Sequence, residues 1–163
     1  MSIRAFQVAD LPVITDIANR AWKEIRRMSR DALGDCIADM LNPAGDDVSK
    51  GIEIEKHAAE FPDTIFVCER NGKIVGFITF VLSDREETPI GAIGNNAVDP
   101  ECGEKGVGQE MYQAVFEHMK ACGMKAVSVT TGLDYAHAPA RKAYLRAGFD
   151  RELRCVTYFR KLD

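Results

Sequence analysis

The sequence predicts a mixed α/β fold in which a central, mostly antiparallel sheet of about six or seven strands is flanked by helices. Two apolar runs flank Asn71-Gly72, a pair that readily adopts the positive φ angles of a type I′ hairpin turn. From residue 90 onward, apolar runs alternate with segments of helical periodicity, which places parallel connections in the same sheet. With 163 residues, 46% hydrophobic and 28% charged, we expect residues 1–163 to form a single domain.

The N-terminal part of the chain is predicted to contain one strand followed by several helices. Residues 3–7 form the strand, and Asp10 caps a helix whose early Pro12 needs no hydrogen-bond donor. Apolar residues recur on one face of this helix, as far as Trp22. Residues 30–63 are predicted to form further short helices, interrupted around residues 42–45.

The remaining elements follow from apolar runs and from the glycines that end them. The predicted strands are residues 64–70, 73–82, 90–98 and 125–131, with one or two more within residues 149–161. One helix starts near Gly106 and ends at Gly123, which occupies the position of a left-handed C-terminal cap. A second helix covers about residues 139–147.

Charge and composition exclude several classes of function. The formal charge of -4 disfavours a nucleic-acid partner, because the chain would repel a phosphate backbone. The longest apolar stretch, residues 74–82, is far shorter than the roughly 20 residues that span a bilayer, so we expect no membrane partner. The start of the chain does not resemble a secretory signal. Five cysteines without a Cys-x-x-Cys pair indicate reduced thiols in a cytoplasmic protein with no zinc site.

The segment richest in chemistry is residues 102–108, at a strand-to-helix junction. Gly103, Gly106 and Gly108 lie within six residues, so successive backbone N–H groups can converge where the helix dipole adds positive charge. Such a segment can bind phosphate, although a glycine-rich turn without a ligand is an alternative. A P-loop is excluded because Gln109 follows Gly108 where a lysine is required. Met111 and the long approach from the strand argue against a dinucleotide fingerprint.

Two blocks of sequence resemble the GNAT superfamily of acetyl-coenzyme A dependent N-acyltransferases. In that family, a strand ending in Val-x-Pro precedes Arg or Gln-x-x-Gly-x-Gly or Ala, and residues 98–100 and 103–108 match this order. The chain departs from the pattern at Gly103, where the family has Arg or Gln. The second block, Asn-x-x-Ala followed by Tyr and Gly-Phe, is matched by residues 137–140, Tyr144 and residues 148–149, with His137 replacing Asn.

The resemblance implies an N-acetyltransferase that moves an acetyl group from acetyl-CoA to a primary amine by direct attack in a ternary complex, without a metal. In the family the fourth strand separates from the fifth and pairs with the pantetheine arm, and the Val98 N–H would polarise the thioester carbonyl. The residues expected to bind the coenzyme are Asn96, Ala97, Val98, Gly103, Glu104, Lys105, Gly106, Val107, Gly108, Gln109, His137 and Ala140.

Tyr144 is the residue expected to act as general acid. A phenol with a pKa of about 10 suits protonation of a leaving thiolate whose pKa is about 8.5. No base can be assigned in the same way, because residues 90–98 contain no ionisable side chain. Glu24, His57 and Glu60 are candidates only because the N-terminal helices border the acceptor site in similar proteins.

Residues 30–63 carry nine acidic side chains against three basic ones, which favours a small cationic amine as the acceptor. Solvated helix faces with no selective role are the alternative reading of this charge. Other possible functions are a peptide or protein N-terminal acetyltransferase, a non-catalytic acyl-CoA-binding regulatory domain, and a structural interaction module. A homodimer is also possible, because pairing is common in the family.

Overall fold

The computed structural model describes residues 2–85 and 87–162 of the chain. In these residues one sheet has the strand order β1-β2-β3-β4-β5, and every neighbouring pair is antiparallel except β4 with β5. The strands are β1 (Ser2–Ala5), β2 (Ile65–Arg70), β3 (Lys73–Val81), β4 (Ile90–Val98) and β5 (Ala126–Val129). The helices are α1 (Leu11–Leu33), α2 (Asp35–Leu41), α3 (Ser49–Glu60), α4 (Val107–Ala121) and α5 (Ala138–Arg146).

The predicted fold class is confirmed, but the count of six or seven strands is wrong. The described residues form five strands, and residues 150–162 are exposed and outside any helix or strand. Alternation of apolar and polar residues indicates that a segment can form a strand, but a strand also needs a neighbour with which to pair. β5 is only four residues long. The prediction extended this strand to residue 131, but its pairing with β4 stops at Val129.

The hairpin between β2 and β3 is confirmed at its turn. Asn71 and Gly72 have φ angles of 50° and 74°, so both central residues are left-handed, as a type I′ turn requires. The start of α1 differs from the prediction. Asp10 makes no side-chain cap to α1, because its carboxylate accepts hydrogen bonds from Arg4 and from the N–H of Gln7 instead.

Helices cover both faces of the sheet and bury a separate apolar cluster on each. On one face, Ile14, Ile17 and Ala18 of α1 and Ile54 of α3 pack against Val67, Phe77 and Ala97. On the other face, Met111, Val115 and Met119 of α4 pack against Ile78, Phe80 and Ile93. Burial of these side chains holds α1 and α4 on opposite sides of β4, the strand from which the candidate site is built.

Candidate active site

An irregularity in β4 determines which side chains face the candidate site. The pairing register between β3 and β4 shifts between Ile78 and Phe80, and the N–H of Asn95 donates to Oγ1 of Thr79 at 2.8 Å. A Cβ on Gly94 would lie 2.5 Å from the same Oγ1, so this close approach requires glycine. The shift has the geometry of a β-bulge, which inserts one extra residue into a strand.

The bulge reverses the direction of the side chains in the half of β4 that follows it. Ile93 and Ala97 are four residues apart and would share one face of a regular strand, but they belong to opposite clusters. Asn96 consequently points toward α4 and α5, where it contacts Tyr112 and Tyr144. Without the bulge, its amide would face α1.

β4 separates from β5 in the half that follows the bulge. The parallel pairing runs from Ile90 opposite Ala126 to Ile93 opposite Val129. Within the described part of the chain, residues 94–98 of β4 have no pairing with β5, and residues 96–98 pair with β3. This is the separation of strands that the family resemblance implied, and it leaves backbone polar groups of β4 available to a ligand.

The glycine-rich loop leads from the free end of β4 into α4. Gly103 and Gly106 have φ angles of 64° and 88°, and Gly106 is the residue immediately before the helix. The first N–H groups of a helix have no partner within it, and no side chain in residues 2–85 or 87–162 caps α4. A Cβ on Gly108 would contact only Val98, at 3.9 Å. The free amides and the helix dipole suit a bound diphosphate, so the chain's residues fit the coenzyme that the family uses.

Ion pairs attach the glycine-rich loop to the body of the protein. Arg20 of α1 contacts the carboxylate of Asp99 at 2.6 Å, and that carboxylate also accepts from the N–H of Glu101. Arg70, at the end of β2, is nearly buried and contacts Glu104 at 3.2 Å and Glu110 at 2.5 Å. The carboxylate of Glu104 is therefore directed to Arg70, and only its backbone amide is available to a ligand.

The other predicted coenzyme residues differ in what they offer. Val107 is the first residue of α4, and its side chain is buried in the core. Its backbone N–H is therefore the group that can contact a ligand at the loop. The side chain of Gln109 donates to the carbonyl of Ala143 at 3.0 Å and joins α4 to α5. Ala97 is buried toward α1, and Lys105 is exposed in the loop.

Tyr144 of α5 is held by its hydroxyl beside β4. The Nδ2 of Asn96 donates to this hydroxyl at 3.4 Å, and Tyr112 donates to Oδ1 of Asn96 at 2.8 Å. Burial raises the pKa of Tyr144 above its ordinary value, against the opposing effect of its hydrogen bond with Asn96. The phenol therefore keeps its proton at neutral pH.

A cavity of about 410 Å³ lies between the two helical layers at the open end of β4. It is bounded by α1, by α3, by residues 94–96, by residues 130–131 and by the start of α5. Four of the predicted site residues line it, namely Asn96, His137, Ala140 and Tyr144. The glycine-rich loop and Val98 do not, so the predicted residues divide into a group before α4 and a group at the cavity.

Lys50 and Trp22 also line this cavity, and neither was predicted from the sequence as a site residue. Lys50 of α3 lines it with its ammonium 4.7 Å from the centre of the Trp22 ring, and it also contacts Glu53 at 2.6 Å. Burial lowers the pKa of Lys50. An isolated lysine in a helical segment carries no signal that it will be buried, so only the packing of α1 against α3 reveals this contact.

The three side chains considered as bases do not line the cavity. Glu24 contacts Arg27 and accepts from the hydroxyl of Tyr135, while Nε2 of His57 is 2.8 Å from Oγ1 of Thr64. Glu60 is exposed at the end of α3. His137, in contrast, lines the cavity with its Nδ1 2.7 Å from a carboxylate oxygen of Asp134, which was not predicted. The sequence does offer a signal for this contact, because Asp134 lies three residues before His137, the residue that precedes α5.

The acidic residues of 30–63 do not themselves line the cavity. None of the segment's nine acids is among the described residues that line it. Arg30 alone contacts three of them, Asp35, Asp39 and Asp46. Glu53 lies nearest to the cavity, because it contacts the ammonium of Lys50 in the cavity wall at 2.6 Å.

Two other kinds of site, a metal cluster and a membrane-spanning helix, are absent from residues 2–85 and 87–162. These residues contain no group of three or more His, Cys, Asp or Glu side chains placed to hold a metal ion. None of their helices is both long and apolar enough to cross a membrane. All five cysteines lie in this part of the chain, and none is paired in a disulfide.

Sequence comparison relates most of the chain to one family. A model of the acetyltransferase (GNAT) family matches residues 22–149. An uncharacterized N-acetyltransferase from Methanocaldococcus jannaschii is 31% identical over 93 residues, which are 55% of this chain and 40% of that protein. The matched region thus covers less than half the length of the archaeal relative.

Solved structures share the fold over almost the whole chain. An aminoglycoside acetyltransferase from an uncultured soil metagenomic sample, in complex with sisomicin, has a TM-score of 0.62 and 19% identity, covering 99% of this chain and 96% of that one. A GNAT family acetyltransferase from Brucella melitensis, in complex with acetyl-CoA, has a TM-score of 0.60 and 17% identity, covering 99% and 90%. At these identities the likeness establishes a common fold.

Proposed function

The chain belongs to the acetyltransferase (GNAT) family, and from this premise we propose that it transfers an acetyl group from acetyl-CoA to a primary amine of a small molecule. The observation that carries the proposal is the separation of β4 from β5 after Ile93, directly before the left-handed glycines at the start of α4. Together they support a path of free backbone groups that would lead from the diphosphate to the 410 Å³ cavity.

The coenzyme would be held chiefly by main chain. In this proposal the amides of residues 103–109 contact the diphosphate, and residues 96–98 of β4 contact the pantetheine arm. Backbone groups can make these contacts whatever the side chain, which reduces the importance of the Arg or Gln that Gly103 replaces. The ion pairs of Arg70 and of Arg20 support the proposal because they fix both ends of the loop before any ligand binds.

At the cavity, direct attack by the amine needs a donor for the carbonyl oxygen and a proton for the thiolate. The N–H of Val98 is proposed as the first and the hydroxyl of Tyr144 as the second. The hydroxyl accepts from Asn96, so its own proton is free to be given to sulfur. Asn96 and Ala140 would complete the wall beside the thioester.

The cavity supports a small-molecule acceptor over a peptide N-terminus. Its volume of about 410 Å³ is within the range of small-molecule sites. A cationic acceptor is supported by the fold shared with an aminoglycoside acetyltransferase and by the acidic surplus of residues 30–63. Lys50 in the cavity wall opposes a cation, but its ammonium is paired with Glu53, so both charges lie at this wall.

Two measurements test this function. Calorimetry with acetyl-CoA should detect binding, and a thiol-release assay with polyamines, aminoglycosides, amino acids and short peptides should detect acceptor-dependent turnover. Binding without turnover on any acceptor would favour the non-catalytic acyl-CoA-binding domain. Absence of binding at millimolar acetyl-CoA would favour a structural interaction module. Faster turnover of acidic acceptors or of peptides would contradict a small cationic acceptor.

We also propose a cellular location and an oligomeric state for this activity. The chain would act as a single domain in the cytoplasm, a location supported by its five unpaired cysteines. A homodimer is proposed by analogy with the family, and sedimentation velocity would distinguish it from an 18.0 kDa monomer.

A further inference from the structure

We infer that His137, oriented by Asp134, is the general base that removes a proton from the acceptor amine. The inference rests on the proposed function, and it supplies the one role for which no residue could be assigned from the sequence. His137 is the residue that precedes α5 and lines the same cavity as Tyr144. An acid and a base on one cavity are what acyl transfer to an ammonium ion needs.

The contacts of Asp134 define which ring nitrogen is available. One carboxylate oxygen is 2.7 Å from Nδ1 of His137, and the other accepts from the backbone N–H of His137 at 3.0 Å. With Nδ1 donating to Asp134, the lone pair of the neutral ring is on Nε2. No group among the described residues is hydrogen-bonded to that Nε2. The ring is therefore fixed in position with one nitrogen left to accept a proton.

The chain before α5 is shaped around this pair. A Cβ on Gly132 would collide with the carboxylate of Asp134 and with the ring of His137, so the close approach of the backbone depends on glycine. Arg141 donates to the carbonyl oxygens of Gly132 and Asp134, at 2.6 and 2.7 Å, and closes the turn from the α5 side. The pair is thus held by contacts on both sides.

Several charged and ionisable groups surround the pair. Asp134 is the carboxylate in contact with the ring, and burial alone would raise its pKa, but the hydrogen bonds from His137 outweigh burial and lower it. Its negative charge favours the imidazolium that forms. The other ionisable groups that line the same cavity are Lys50 on α3 and the phenol of Tyr144, and Arg141 on α5 donates to the carbonyl of Asp134. Lys50 is ion-paired with Glu53, and Arg141 donates to the backbone carbonyls of the turn.

The proton transfers balance over one turnover. Nε2 of His137 accepts a proton from the ammonium group, and the amine nitrogen then bonds to the acetyl carbon. The carbon–sulfur bond breaks with its electron pair on sulfur, and the hydroxyl of Tyr144 protonates the thiolate. The phenolate takes the second proton from the new amide nitrogen, and His137 returns its proton to solvent. One proton is released for each acetyl group transferred.

His137→Asn is the decisive variant because asparagine is the residue of the family's motif at this position. Asparagine can make a coenzyme contact but cannot accept a proton. If His137 is the base, the variant should bind acetyl-CoA within about threefold of the wild type while kcat falls by roughly 10²-fold or more. Equal or higher turnover in His137→Asn would overturn the inference and assign this position to coenzyme binding.

The pH dependence separates a base from a structural residue. Raising the pH toward the ordinary pKa of the amine lets solvent remove the proton, so the deficit of His137→Asn should shrink steadily with pH. A residue that only supports the fold would give a deficit that does not change with pH. Asp134→Asn, which removes the charge and retains the shape, should also lower kcat, with thermal melting as the check on folding.

A measurement without substrate tests the geometry directly. Nitrogen NMR of the histidine rings should show a neutral His137 ring protonated on Nδ1. The signals of His137 are assigned by their absence from the spectrum of His137→Asn. Protonation on Nε2 instead would overturn the assignment of the accepting nitrogen. If the wild type binds the coenzyme but acetylates no amine, the proposed function and this inference fail together. If it acetylates an amine and His137→Asn matches it, only the inference fails.

Discussion

Asn96 on β4 donates a hydrogen bond from Nδ2 to the hydroxyl of Tyr144 on α5, at 3.4 Å. Tyr112 determines the direction of this bond, because its hydroxyl donates to Oδ1 of Asn96 and so turns Nδ2 toward Tyr144. The phenol of Tyr144 is therefore an acceptor toward Asn96 and retains its own proton for another partner. The β-bulge at Gly94 is what brings Asn96 to this face.

Tyr144→Phe should lower turnover much more than it weakens coenzyme binding. Loss of a general acid costs roughly 10²-fold or more in kcat, whereas one hydrogen bond to Asn96 contributes little to affinity. Steady-state kinetics and calorimetry measure the two effects. Tyr135→Phe is the matched control, since its hydroxyl contacts Glu24 and the side chain is 60% exposed. Unchanged kcat in Tyr144→Phe would remove this residue from the proton transfer.

Gly106→Ala and Gly123→Ala compare the two ends of α4. Their φ angles of 88° and 85° impose the same left-handed strain, about 1–2 kcal/mol for a residue with a Cβ. Both variants should therefore lose similar stability in chemical denaturation. Only Gly106→Ala should weaken acetyl-CoA binding in calorimetry, because only that residue orients the free amides. Equal affinities in the two variants would contradict a diphosphate site before α4.

Thr79→Val tests whether the bulge in β4 positions the site. Valine removes the oxygen that accepts from the N–H of Asn95, and a buried unpaired N–H costs about 1–3 kcal/mol. We expect a lower free energy of unfolding and a lower kcat, because Asn96 and Tyr144 lose their alignment. Thr79→Ser keeps the hydroxyl and should retain kcat. If both variants turn over like the wild type, the bulge does not control the position of Asn96.

Asp99 should contribute to stability in a way that depends on pH. The hydrogen bond from Arg20 holds the pKa of Asp99 below its ordinary value of 3.8. A lowered pKa in the folded state means that the contribution is complete above 3.8 and is lost as the pH falls through the lower folded value.

Denaturation of the wild type and of Asp99→Asn at several pH values measures this contribution. The difference in unfolding free energy between the two proteins should be largest at neutral pH and should decrease below the ordinary value. Asp16→Asn is the control, because Asp16 contacts the same arginine but its side chain is 63% exposed. A difference that does not depend on pH would show that the ion pair with Arg20 is not its source.

Local signals were sufficient for most of the secondary structure. Asn71-Gly72 predicted the hairpin because the positive φ angles of a type I′ turn are a property of those two residues. Gly106 and Gly123 marked the ends of α4 for the same reason. The strands predicted within residues 149–161 were wrong, since strand formation depends on a partner and not on the segment alone.

The amino-acid sequence by itself determined the fold class, the glycine-rich start of α4 and the family to which the chain belongs, because each depends on residue types at short spacing. Only the tertiary structure decided which face of β4 carries Asn96, that Lys50 lines the cavity, and that the acidic residues of 30–63 do not. It also decided that His137 is paired with Asp134. These relationships depend on a one-residue bulge, on close backbone approach at Gly132 and on how separate elements pack. A change of one residue in register reverses the direction of a side chain, and no local pattern records that register.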